Sequence, residues 1–506
     1  MLFGAGRWLL VLAACGAGLL VFGLRLTIAE GQVSWLPYLD QWEAEIGGLV
    51  APLAHGTLGV GDLVASNNEH RIVLTRAGSL AAVELNGGWD NRVTVVGMFI
   101  LQSATVAWIC AFVGMSLGWT RGALVCAVVA LPMFLVCDWE NIVSGFQDQF
   151  GFMVLGSVVA FSMLDGGRLK SVPGSGALVM AVLLVGSMAS GLLTAPVMLL
   201  TSATVALVER RQLRRTAGFG AACAAITALG WLARSHFPHL PAMYAQSLHA
   251  WLDAFLAYAA WPLPPTVLGL LCLWLPWGLL LEHTLRHRRV PPFASFVLAL
   301  GLWVLLQACG LAWSRAGLSG LVSARYTEVL SWGFVANSGA LVLLFSSMKV
   351  ARPLRMALGA GMAIWVGVIG SCEVGRSQAV YRPYFRNFRL QTLEQERRVG
   401  TFMRTDDARV IESVSFPHIP YTAAQIIPLL RDPRVRPLLP GPLRRDFARD
   451  RTPLQVPAIH DGPLSFAATH ALRNGRWFIT LGLAALGAAF FLARGTAEAT
   501  RSGAGS

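Results

Sequence analysis

The chain is 506 residues long, 55% hydrophobic and 13% charged, with a mean hydropathy of +0.58. Soluble domains carry charge on about a quarter of their residues, so an ordinary globular protein is excluded and repeated bilayer crossings are indicated. The net charge of +13 raises nucleic acid as a partner, but much of it lies in short loops between apolar runs, where membrane topology places it, so no nucleic-acid role is expected.

The run from Trp8 to Leu24 follows Arg7 and is long for a signal-peptide core. No small-x-small cleavage site follows promptly, so it reads as an uncleaved first membrane helix. Apolar spans then fall near 8–27, 93–115, 122–138, 150–165, 176–191, 193–208, 216–233, 264–282, 293–312, 328–347, 354–371 and 477–493. The expected fold is an all-α polytopic membrane protein with about twelve transmembrane helices. Arg168 and Lys170, Arg210 to Arg215, Arg286 to Arg289, and Lys349 to Arg355 share one side if the N-terminus is cytoplasmic, the positive-inside pattern. Residues 1–371 then form a membrane domain of about eleven helices, and 372–476 a small folded extracytoplasmic segment. The last helix is 477–493, and 494–506 form a cytoplasmic tail.

The eight cysteines lie in apolar spans or at their ends, without metal-ligand spacing, and read as small buried hydrophobes. No Walker loop, dinucleotide fingerprint or nucleophile elbow is present. His236, His239 and His249 share one loop, but their spacing matches no metal motif.

Polar groups near a bilayer are costly, so clusters of them at helix ends on one side carry a functional expectation. The first cluster lies in loop 28–92. Asp40 and Glu43 stand in DQWE, interleaved with Trp35, Tyr38 and Trp42, and Glu69, His70 and Arg71 stand in NNEHR. Burial against aromatic surface raises a carboxyl toward the working range of a general base. Residues 72–83 are amphipathic enough to lie along the membrane surface. Taken singly, each acid reads better as a solvated loop charge, and it is the combination across loops that weakens this reading.

The second cluster is Asp138, Trp139, Glu140, Asn141, Gln147 and Gln149. It suits either the orientation of sugar hydroxyls or the capping of two helix ends. The third is Arg325–Tyr326, with Arg315 ten residues earlier. A planar, permanently charged guanidinium suits a lipid-linked phosphate, and an interfacial snorkelling arginine is the alternative.

The order DQW (40–42), NEHRI (68–72), WENIVSGFQDQF (139–150) and ARY (324–326) resembles a bacterial branch of the GT-C superfamily. These are membrane glycosyltransferases that take sugars from polyprenyl-phosphate carriers. The resemblance implies that Asp40 is the general base or positions the acceptor hydroxyl. It implies that Glu69, with His70 and Arg71, lies near the acceptor or contacts a metal or phosphate, and that Arg325 and Tyr326 hold the lipid phosphate. Glu140, Asn141 and Gln147 join the substrate-binding set. DQWE departs from the family's common acidic pairs, which leaves Glu43 and Glu69 as competing second acids. No cofactor is certain, and a divalent Mg²⁺ or Mn²⁺ ion stays open.

The implied partners are a polyprenyl-phosphate-linked sugar, a glycan or lipid acceptor of the cell envelope, and membrane lipids. The implied location is the bacterial inner membrane, with the site facing the exterior. Two other classes compete. An O-antigen-ligase-like transferase concentrates essential Arg and His residues in a late outer loop, whereas the dense motifs here are early. A transporter or flippase for a lipid-linked glycan expects charge at mid-membrane depth and inverted repeats. If the glycosyltransferase reading holds, Asp40, Glu69 and Arg325 must converge in space.

Overall fold

The computed structural model describes residues 2–164, 172–210, 213–235, 241–317, 322–348, 350–413, 422–444 and 462–503. Each apolar run of the sequence is helical. The helices are α1 (Leu2–Ala29), α2 (Asn91–Leu117), α3 (Trp119–Ala130), α4 (Asp148–Ser162), α5 (Val172–Val185) and α6 (Thr194–Val208). They continue with α7 (Leu213–Leu232), α8 (Val267–His287), α9 (Pro292–Arg315), α10 (Ala324–Ser347), α11 (Arg352–Arg376) and α12 (Gly475–Gly503). Among the described residues, eight helical stretches are long and apolar enough to cross a membrane, while Gly122–Phe134, Pro173–Val185 and Thr216–Leu232 are shorter apolar helices. The protein is therefore an all-α protein of the multi-pass membrane type. Helix α4, of 15 residues, is also short of a full crossing.

Contacts between distant helix ends define one face of the bundle. The end of α1 meets the segment after α3 through Arg25 and Asp138, at 2.6 Å. About three turns into α2, Gln102 Nε2 donates to Glu328 of α10 at 3.0 Å. On that face, Arg25 and Glu328 lie inside helices yet within a turn or two of their ends, Glu373 lies just before the π-helical turn that follows α11, and all three are buried.

Two features of this face go beyond the sequence reading. The amphipathic stretch 72–83 exposes Ala77, Gly78 and Ala81 and keeps its polar side inward. Helix Val73–Asn86 buries Thr75, Arg76, Ser79 and Asn86 together with Val83. Its polar stripe turns inward because partners wait there. Thr75 Oγ1 donates to Asp148 at 2.5 Å, Ser79 Oγ to Glu45, and Asn86 Nδ2 to Ser465 Oγ at 2.9 Å.

The boundary expected at 371/372 also falls inside a helix. α11 runs through a π-helical turn, Ser377–Tyr381, into helix Arg382–Thr405 without a break. The far half of that rod then packs on the first loop. Leu36, Trp42, Ile46, Val50, Val83 and Trp89 share one core with Val399, Phe402, Ile411, Ile426 and Leu430. Loop 28–92 and the C-terminal segment thus make one folded unit, assembled from stretches some three hundred residues apart.

Helices α1 and α12 pack along glycines. A Cβ on Gly23 would lie 2.5 Å from the Ile479 amide nitrogen, and one on Gly482 would lie 2.5 Å from that of Leu20. Small residues allow this approach, on which helix association in lipid depends. Replacing Gly482 by Leu forces backbone against backbone, and overpacking of this kind costs about 1–3 kcal/mol. The Gly482→Leu protein should show a lowered melting midpoint in detergent and a broadened size-exclusion peak. An unchanged midpoint would contradict the tight α1–α12 contact.

Candidate active site

Asp40 is set by unusual backbone. Leu39 takes a left-handed φ of 47°, a conformation that costs a non-glycine residue on the order of 1–2 kcal/mol and marks functional sites. Asp40 then caps a ten-residue π-helix, Gln41–Val50, and its carbonyl accepts from the Ala44 amide at 2.7 Å. Long π-helical stretches are rare and are often functional.

The turn is held from beneath by Gln41 and Asn91. Gln41 Oε1 accepts from the Tyr38 amide at 2.9 Å, and Gln41 Nε2 donates to Asn91 Oδ1 at 3.0 Å. Asn91 Oδ1 also accepts from the Gly145 amide at 3.0 Å. Asn91 Nδ2 donates to the carbonyls of Ser34, at 3.0 Å, and Val143, at 2.9 Å.

Glu69 is presented by a small hairpin, Ser66–Asn67 against His70–Arg71. Asn68 occupies its turn with φ 50°, a left-handed position that asparagine tolerates better than most residues. The turn carries Glu69 into an ion pair with Arg315 at the end of α9. Arg315 Nε donates onward to the Tyr326 hydroxyl at 3.1 Å. His70 Nε2 lies 3.7 Å from Glu69, and His70 Nδ1 accepts from the Ala189 amide at 3.2 Å. That bond leaves Nε2 as the protonated nitrogen of a neutral ring. Burial holds His70 below its ordinary pKa despite the pull of Glu69. Burial also pushes Glu69 up, but His70 and Arg315 outweigh it and keep the carboxyl below its ordinary range.

A second ion pair stands beside the first. Arg325, in the first turn of α10, meets Glu140 at 3.1 Å. Glu140 Oε2 also accepts from Ser323 Oγ at 3.0 Å and from the Arg325 amide at 3.1 Å. Behind it, Asn141 Nδ2 donates to Glu328 at 2.8 Å and to the Arg325 carbonyl at 3.3 Å. Arg325 sits over the Tyr326 ring, 5.8 Å from its centroid. Tyr38 lies within electrostatic reach of Glu140, Arg325 and Asp40, and burial pushes its phenol up. Asp40 is within reach of both His70 and Arg325.

The structure therefore brings Asp40, Glu69, His70, Glu140, Asn141, Arg325 and Tyr326 to one patch, with Arg315 and Tyr38 added. Two guanidiniums, each matched by a carboxylate, flank a third carboxyl and a neutral imidazole. Such a set can polarise a bound hydroxyl and accept its proton. Glu69 joins the patch through its ion pair with Arg315, while Glu43 is exposed.

Two expected members stand apart. Arg71 is taken up by backbone, its Nε donating to the Ala233 carbonyl at 2.7 Å and an Nη to that of Val64 at 2.6 Å. Gln147 is buried in the turn after Val143, its Oε1 without a donor, and no contact among the described residues joins it to the charged group. Among the described residues, no group of three or more His, Cys, Asp or Glu side chains is placed to hold a metal ion. Glu69 and Glu140 are committed to arginines, which does not fit a preformed Mg²⁺ or Mn²⁺ site. His249 pairs with Asp253 on an exposed helix at 3.0 Å, while His236 and His239 lie outside the described residues.

Sequence reasoning passed over Gln41, Asn91 and Glu45. Nothing but their neighbours in space distinguishes these amides and this acid from loop polarity. Comparison with protein-family models, curated proteins and solved structures finds no match to this chain.

Glu45 lies in the same π-helix, fully buried beside Ser79 and Arg76, and burial pushes its pKa up to about 7. The folded state thus keeps a proton that the unfolded chain releases near pH 4.5. Stability must fall as pH rises through the window from about 4.5 to about 7, and level off above it. The full change is on the order of 3 kcal/mol. Glu45→Gln should flatten the pH dependence of the melting midpoint across that window. A slope equal to that of the parent would assign the effect to another group.

Proposed function

We propose that this protein is a GT-C-type membrane glycosyltransferase. It moves a sugar from a polyprenyl-phosphate donor to a hydroxyl of a cell-envelope glycan or lipid. What supports the reading is one observation: Asp40, Glu69, His70, Glu140, Arg315 and Arg325 come from five separate segments yet gather at one end of an apolar helix bundle. The proposed topology has about twelve crossings of a bacterial inner membrane, with the N-terminus cytoplasmic and the gathered end outside. In the sequence, the short loops that alternate with the gathered segments carry the basic residues that this orientation requires.

In the proposed mechanism the donor's sugar lies across the patch. The acceptor hydroxyl hydrogen-bonds to Asp40, which takes its proton as the oxygen attacks the anomeric carbon. The bond from that carbon to the phosphate oxygen breaks, with inversion, and the electron pair leaves on the lipid phosphate. Arg325 and Arg315 exchange part of their pairing with Glu140 and Glu69 for the departing phosphate. Preorganised charges of this kind act strongly where water is excluded. Tyr38 and Trp139, packed on Phe388 with ring centroids 4.8 and 5.3 Å away, offer aromatic surface to the sugar's apolar face.

General-base assistance contributes about a hundred- to ten-thousand-fold in rate. Purified Asp40→Asn protein should lose transfer from a labelled polyprenyl-phosphate sugar by that factor, with its yield and melting midpoint unchanged. Transfer at the parental rate would remove Asp40 from the mechanism. Intact donor with every acceptor offered, together with donor movement across vesicles, would replace the enzyme by a transporter.

A further inference from the structure

The arginines of the patch are already neutralised, which raises the question of where an anionic head group is first received. Among the described residues, two nearby cations have no carboxylate partner. Arg71 is bonded only to the carbonyls of Ala233 and Val64. Arg234 lies over the Trp231 ring, 4.6 Å from its centroid. Both line a recess with Glu69, Val185, Ala189, Leu192, Gly230 and Ala233.

A groove of about 490 Å³ lies beside this recess on the outside of the bundle, between α6 and α7. Pro196, Leu199, Ala224, Thr227, Ala228, Trp231 and Leu232 line it, so its walls are almost wholly apolar. Trp231 and Leu232, at its upper end, are 60% and 79% exposed. Groove and recess meet at the end of α7, where residues 230–234 line one or the other. The chemistry is that of an amphiphile: an apolar groove beside two guanidiniums that have no ion-pair partner among the described residues.

We propose that the α6–α7 groove and the Arg71–Arg234 recess form a receiving seat for a single-chain lipid phosphate. The tail lies along Leu199, Ala228 and Trp231, and the phosphate rests between Arg71 and Arg234. From there the head group has only Glu69 to pass before it reaches Arg315. This seat deepens the glycosyltransferase reading by giving its donor a place of first contact, but it stands or falls on binding rather than turnover.

Farnesyl phosphate bearing a diazirine on its chain is a suitable probe, because it carries no sugar and cannot react. Irradiated with the full-length protein in nanodiscs, it should label peptides spanning 196–199 and 224–232. Unlabelled farnesyl phosphate should compete, while farnesol, inorganic phosphate and phosphatidylglycerol should not. Arg234→Gln should weaken labelling at least about tenfold, the effect of losing one charge-assisted bond to phosphate. Leu199→Trp should fill the groove and abolish labelling there. Arg71 also holds two loops, so Arg71→Gln is read only against a melting midpoint within a degree or two of the parent's. Asp40→Asn should label like the parent. Labelling outside the groove, equal competition by farnesol or phosphatidylglycerol, or indifference to Arg234→Gln would overturn the seat. Parental labelling alongside unimpaired transfer by Asp40→Asn would keep the seat and overturn the mechanism.

Discussion

The arrangement of the candidate site depends on one buried amide. Asn91, the first residue of α2, uses its two donor hydrogens on the carbonyls of Ser34 and Val143 and its oxygen on Gln41 and the Gly145 amide. That is the full capacity of an asparagine side chain. A buried amide left with open capacity costs about 1–3 kcal/mol, so each of these four bonds enforces the others. They join the segment before Asp40, the turn that carries it, and the segment that follows Glu140. Two loops that would otherwise drift are thereby fixed to a membrane helix.

Charge on this face follows the same logic. Arg25 and Asp138 pair without exposure, and Glu328 accepts from both Gln102 and Asn141. Breaking such a buried pair leaves an uncompensated charge and is far costlier than forming it is favourable. These groups therefore hold the ends of α1 and α10 and the middle of α2 in one relation. The polar layer supports Glu140 and Arg325 from below, while the apolar bundle beneath it supplies the cohesion.

The C-terminal segment packs against the first loop. Helix Arg382–Thr405 lays Phe388 against both Tyr38 and Trp139, and Ser34 Oγ donates to Glu396 at 2.7 Å. Side chains of the C-terminal segment thus touch residues of the first loop that precede Asp40.

By itself, the sequence determined the helices. Hydropathy picks out each apolar run because a bilayer-crossing segment must satisfy its own backbone hydrogen bonds, and only length and composition are needed to see it. It also marked Asp40, Glu69, His70, Glu140, Arg325 and Tyr326, since charge collected at helix ends stands out against so apolar a chain. Tertiary structure alone decided which of these meet. Arg71, adjacent to His70, is drawn off to carbonyl oxygens, while Arg315, ten residues from Arg325, becomes the partner of Glu69. It alone revealed that Gln41 and Asn91 organise the turn and that Glu45 is buried as an acid. It alone showed that 28–92 and the C-terminal segment share a core. Those facts rest on contacts between residues up to several hundred positions apart, and no local period or motif encodes such a contact.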